Sequence, residues 1–129
     1  MREIRNLDEL EILTFCSGFN KPILLFISSG ACYWCSEFKP VFKSIGVCLE
    51  KYYDACIITA ENVGGREALR EKFYSLFSCR YRGFPTLFMI NGAMAAEEIP
   101  HEPVMWNQHS REFNKEAIIS YAKEKRGIQ

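Results

Sequence analysis

The residues best suited to chemistry are two cysteines, in the run Ser29-Gly30-Ala31-Cys32-Tyr33-Trp34-Cys35. Two intervening residues on a helical turn bring the sulfurs close enough to join. A thiolate is the attacking species in disulfide exchange, and the first turn of a helix offers it unpaired N–H groups and the positive end of the macrodipole. Cys32, at a helix start, is therefore read as the nucleophile. Cys35, one turn further in and better shielded, is read as the resolving thiol. The same pair is also two metal ligands, but a tetrahedral zinc site takes about four, and the sequence holds no second pair. A metal-binding protein built on the pair is the alternative function. A redox-inert interaction module is a third.

Two further segments carry candidates. Arg82-Gly83-Phe84-Pro85-Thr86-Leu87-Phe88 puts a proline at the entrance of a strand, where it donates nothing to a ladder and so calls for another reason. Pro100 to Ser110 is a connection of eleven residues holding His101, Pro103, Met105, Trp106 and His109. Connections of about four to six residues are usual, and long ones in compact domains are often functional. Met105 and Trp106 either cap the core or, with Tyr33, Trp34, Phe84 and Pro85, line a surface that binds a substrate chain beside Cys32. His101 and His109 are read as solvated.

The elements that must position these residues follow from periodicity. Leu7 to Phe19 reads as a helix with Leu7, Leu10, Leu13 and Thr14 near one face, capped by Asn6 and ended by Gly18 and Asn20. Ile23 to Ser28 is a continuous apolar run, as in a strand buried on both faces. After Cys32 comes a long helix marked by Phe38, Val41, Phe42, Ile45, Cys48, Leu49 and Tyr52, with Pro40 expected to kink it. Ala55 to Ala60 is a second strand, Arg66 to Phe77 a helix, and Pro85 to Ile90 a third strand. Asn91-Gly92 signals a tight hairpin, so Ala93 to Ile99 is expected to return antiparallel. Lys115 to Lys125 closes the chain as a helix, and Glu3 to Arg5 is a candidate edge strand. Strands joined through helices pair in parallel, so the fold class is α/β, with a mixed central β-sheet flanked by helices on both faces.

In this order the features resemble the thioredoxin superfamily, whose members carry Cys-x-x-Cys at a strand-to-helix junction, a proline kink in that helix and a cis-proline facing the cysteines. Cys32, Cys35, Pro40 and Pro85 match these positions, and the resemblance covers roughly Pro22 to Ile99. It implies a thioredoxin-like fold, a cis bond between Phe84 and Pro85, and thiol–disulfide oxidoreductase activity on protein disulfides. The implied roles are attack by Cys32 and resolution by Cys35. There are departures. Tyr33-Trp34 stands where thioredoxin has Gly-Pro, Ala31 where it has Trp, and Phe26 where it has a buried Asp. Glu37 and Lys39 are read as solvated helix charges rather than replacements for that Asp. The departures imply a thioredoxin-like protein distinct from housekeeping thioredoxin.

Composition bounds the rest. With 129 residues the chain is the size of one domain, 1–129, and 48% hydrophobic against 25% charged residues is ordinary for a globular protein. Sixteen basic and sixteen acidic residues cancel, which gives no electrostatic reason to expect nucleic acid. No apolar run approaches the about 20 residues of a membrane span. Met1-Arg2-Glu3-Ile4 shows no signal-peptide apolar region, so a cytoplasmic location is expected, with export and removal of a leader as the alternative. Cys16, Cys48 and Cys56 sit among apolar neighbours and are expected to be buried free thiols, as in a reducing compartment. No cofactor or metal is expected. The expected partners are protein disulfides or dithiols and an upstream reductase, acting on a monomer.

Overall fold

The computed structural model describes residues 1–16, 21–92 and 95–128. Five strands form the main sheet: β1 (Arg2–Ile4), β2 (Ile23–Ser28), β3 (Asp54–Thr59), β4 (Thr86–Ile90) and β5 (Ala96–Glu98). Four helices accompany them: α1 (Leu7–Cys16), α2 (Tyr33–Cys48), α3 (Arg66–Phe77) and α4 (Lys115–Lys125). A two-stranded ribbon, β6 (Trp106–Asn107) with β7 (Glu112–Phe113), precedes α4. The sheet order is β1-β3-β2-β4-β5, parallel from β1 through β2 and antiparallel from β2 through β5.

β2 lies at the centre because every one of its residues is apolar or small enough to be buried. Ile23, Leu25 and Ile27 point to the face covered by α1 and α3, with Leu10, Leu69, Phe73 and Phe77. Leu24 and Phe26 point to the face covered by α2 and α4, with Phe38, Phe42, Ile45 and Ile118. A period of two thus feeds two separate cores, which is how a continuous apolar run reads as a strand. Phe26 stacks edge-on against Phe38 at 5.0 Å and Phe42 at 5.3 Å, fixing α2 over the sheet. On the other side of α2, the Tyr53 hydroxyl donates to the Ala122 carbonyl at 2.7 Å and ties α4 to the same layer.

Helix starts follow their caps. The Asn6 Oδ1 accepts from the Glu9 amide at 2.8 Å, and the Glu9 carboxylate reaches back to the Arg5 amide at 3.2 Å. Together they satisfy two N–H groups at the start of α1. Asn114 caps α4 through the Ala117 amide at 3.1 Å. Pro40 lies inside α2, so the Ser36 carbonyl has no amide to accept from at that point.

Several expectations need correction. α1 is described to Cys16, and Gly18, Phe19 and Asn20 lie outside the described residues, as do Ala93 and Met94. The hairpin after β4 is wider than a two-residue turn. The Asn91 amide donates to the Ala95 carbonyl at 3.1 Å, and the Asn91 side chain accepts from the Ala95 amide. β5 is accordingly only Ala96–Glu98; Ile99 still donates to the Leu87 carbonyl, but Pro100 has no N–H to continue the ladder. Cys16 and Cys48 are exposed, and only Cys56 of the three is buried. On α2 the buried stripe is Phe38, Phe42 and Ile45, continued by Leu49, and Cys48 sits about a quarter turn off its axis. The long connection is not an open loop. His101–Met105 forms a wide turn with Glu102 extended, closed by the Met105 amide donating to the Pro100 carbonyl at 3.1 Å, and Trp106 pairs with Phe113 across the ribbon.

Candidate functional site

β2 ends at Ser28, and the chain turns through Ser29-Gly30-Ala31 into α2. The Cys32 amide donates to the Ser29 carbonyl at 3.2 Å, closing that turn. Cys32 is the N-cap of α2, and its sulfur accepts from the Cys35 amide at 3.1 Å, where a serine oxygen would usually stand. Cys32 is half-buried, whereas Cys35 is 2% exposed and packs into the α2 core. Both are free thiols. Burial pushes the Cys35 thiol up to about 12, and the adjoining Cys32 thiol adds to the rise; the Ser29 backbone and the Ser28 hydroxyl pull the other way. One sulfur is thus partly open to solvent, and the other is held inside as a thiol. Phe26 is fully buried under α2. It supplies no proton acceptor there.

The Phe84–Pro85 peptide bond is cis, and so is Glu102–Pro103, which the sequence did not reveal. Phe84 and Pro85 line a cavity of about 300 Å³ together with Trp34, His101, Trp106 and Phe113. Trp34 stands at the centre of this wall. Its ring lies 5.0 Å from Tyr33, 5.1 Å from Trp106 and 6.3 Å from Phe113. Trp106 lies 5.1 Å from Phe113, which reaches Phe38 at 4.7 Å. Tyr33 and Trp34 are exposed, at 65% and 48%. The structure therefore brings Trp34, Phe84, Pro85 and Trp106 to one cavity, with Tyr33 against the Trp34 ring at its edge. It does not bring Met105 there. Met105 is 1% exposed and packs with Leu87, Phe38 and Ile118, because the wide turn points its apolar side chain inward. His101 and His109 are exposed. Among the described residues no group of three or more His, Cys, Asp or Glu is placed to hold a metal ion. No helix among them is long and apolar enough to cross a membrane.

Sequence reasoning missed Phe113, Glu61 and Arg66. Phe113 had a signal. It precedes the Asn114 cap and packs in the same core as Ile118, the spacing of a hydrophobic staple. Glu61 and Arg66 had none, because their neighbour Ser29 is brought to them only by strand pairing.

A five-stranded sheet in this order, with Cys-x-x-Cys where its central strand meets a helix and a cis-proline ahead of the next antiparallel strand, defines the thioredoxin fold. Comparison with solved structures bears this out. The chain is similar to the J-Trx1 fragment of ERdj5, with TM-score 0.70 and 12% identity over 96% of this chain and 50% of the fragment. It is similar to Plasmodium falciparum thioredoxin, with TM-score 0.66 and 10% identity over 96% and 98% of the two chains. Fasciola hepatica thioredoxin gives TM-score 0.57 and 17% identity over 78% and 83%. The chain spans half the length of the ERdj5 fragment, and at these identities what is shared is the fold. No family model and no curated protein sequence matches the chain.

Proposed function

We propose that this protein is a thiol–disulfide oxidoreductase acting on protein disulfides. The observation that carries the reading is the asymmetry of the pair: Cys32 half-buried at the cap of α2, Cys35 buried one turn below it. Cys32 as thiolate attacks one sulfur of a substrate disulfide. A Cys32–substrate S–S bond forms, the substrate bond breaks, and its other sulfur leaves as thiolate. Cys35 then gives up its proton, to solvent or to the substrate thiolate released in the first exchange, and attacks the Cys32 sulfur. The Cys32–Cys35 disulfide forms, the second substrate thiolate leaves, and two electrons have passed to the substrate. An external dithiol donor, such as an upstream reductase, returns the pair to the free thiols of this structure.

Reduction is the direction proposed, in a reducing compartment such as the cytoplasm and by a single-domain monomer. Two exposed thiols, Cys16 and Cys48, support it, since an oxidising compartment would leave them open to pairing. The substrate chain is proposed to lie along Phe84 and Pro85, with Tyr33, Trp34 and Trp106 as its apolar rim. Support comes from the shared cavity and the exposure of Tyr33 and Trp34. Reduction of insulin disulfides in the presence of dithiothreitol tests the activity. Turnover above the dithiothreitol background that disappears in Cys32→Ser is the expected result, and turnover unaffected by that substitution refutes the proposal.

A further inference from the structure

Polar contacts converge on Ser29, three residues before the nucleophile. β2 and β3 are parallel, with Ser28 opposite Thr59, so Ser29 and Gly30 leave the sheet beside Ala60 and Glu61. The chain after β3 makes one tight helical turn, Ala60–Val63, anchored by buried Ala60 and Val63. Gly64 and Gly65 then hold φ of 107° and 106°, a region that strains any side chain, and they turn α3 so that it begins at Arg66, beside Glu61.

The Glu61 carboxylate takes two donors from the loop that delivers Cys32. Ser29 Oγ donates at 2.7 Å, and the Gly30 amide donates to the other oxygen at 2.7 Å. Arg66 donates to the same Ser29 Oγ at 3.0 Å and lies 3.8 Å from the Glu61 carboxylate. Its guanidinium also covers the Phe84 ring, 5.0 Å from the centroid. One side chain therefore touches both the loop before the nucleophile and the residue before cis Pro85. Glu61 and Arg66 are each about half exposed, and exposed ion pairs add little to stability. The arrangement is not what holds the fold together.

We infer that Glu61 and Arg66 are positioning residues that bridge the Cys32 loop to the Phe84–Pro85 loop, so that a protein substrate lying on the second presents its disulfide in line with Cys32. This rests on the oxidoreductase reading above. Misplacement by about 1 Å costs up to about a hundredfold in rate when geometry is the contribution. A protein disulfide, held by both loops, depends on the bridge. A small disulfide, which meets Cys32 alone, depends on it less.

The test compares Arg66→Ala, Arg66→Lys and Glu61→Gln with the unmodified protein, using insulin and a small aromatic disulfide, with the thermal midpoint measured in parallel. Arg66→Ala is expected to lower kcat/KM for insulin about tenfold more than for the small disulfide, through KM and without a matching fall in midpoint. Arg66→Lys keeps the charge but loses the planar face, and is expected to leave that defect in place. An equal loss on both substrates, or full rescue by Lys, overturns the bridge. If the unmodified protein turns over neither disulfide, the oxidoreductase reading is what fails. The bridge is then decided by hydrogen exchange at the Gly30 and Ala31 amides, expected about tenfold faster in Glu61→Gln. Unchanged exchange there overturns it.

Discussion

The two walls beside Cys32 are built from different materials. One is polar: Ser29, Glu61 and Arg66, leaning on Phe84, with its charged members half exposed. The other is aromatic: Trp34, Trp106 and Phe113, continuing through Phe38 into Phe42 and Phe26. The polar wall ties two loops together at the surface, and its half-exposed charges add little to the core. The aromatic wall is the outer end of the α2 core, so any change in it acts on stability and on the site together. Placing Cys35 at the root of the aromatic wall explains why this sulfur is hidden while its partner is not.

The comparison breaks most visibly at the root of the aromatic wall. Phe38→Ala is expected to cost about 3–5 kcal/mol in chemical unfolding, because Phe38 is fully buried among Phe26, Phe42 and Phe113. Substitutions in the polar wall should leave the unfolding midpoint nearly where it was.

Alkali acts on both cores, through Cys35 in the one under α2 and Cys56 in the one under α1 and α3. Burial lifts both Cys35 and Cys56 from 9.0 to about 12. Between those values the folded chain keeps protons that the unfolded chain releases, so the stability present below pH 9.0 is lost as pH rises toward about 12. Urea midpoints should decline across that window, and Cys56→Val should remove part of the decline. A flat profile would show that neither thiol is held neutral by the fold.

Trp106→Ala sharpens the contrast at the rim. Half-buried and edge-on to two rings, Trp106 should contribute about 1–2 kcal/mol to stability while also supporting protein-disulfide turnover. Loss of stability alone would make Trp106 core, and no effect on either would remove the rim.

The smallest effect lies in the polar wall under acid. The Gly30 amide, followed by the Ser29 hydroxyl, holds the Glu61 carboxyl below its ordinary 4.5. Its contribution is present above that value and is lost as pH falls through the lowered one. Protection of the Gly30 amide should therefore persist at pH 4.5 and fade below it, whereas Glu61→Gln should show no such step.

The sequence carried the parts of this arrangement that are local. Ile23 to Ser28 announced a strand buried on both faces, and Asn6 and the run after Cys32 announced helix starts, because periodicity and capping act over a few residues. The Cys32 and Cys35 positions were legible for the same reason. Met105 was not, since the direction of a side chain in the 101–105 turn is set by the core beneath it. Cys48 shows the same limit, because a stripe of threes and fours does not say how wide the covered face is. Glu61 and Arg66 were invisible because parallel pairing of β2 with β3 is what brings Ser29 to them.

The central claim is that two thiols one turn apart have separate roles, and trapping measures it most directly. Each of Cys35→Ser and Cys32→Ser is incubated with a protein disulfide, and adducts are counted by mass spectrometry under non-reducing conditions. The account predicts that Cys35→Ser accumulates a mixed disulfide through Cys32, and that Cys32→Ser accumulates none. Equal trapping by both variants, or trapping by Cys32→Ser alone, would contradict it.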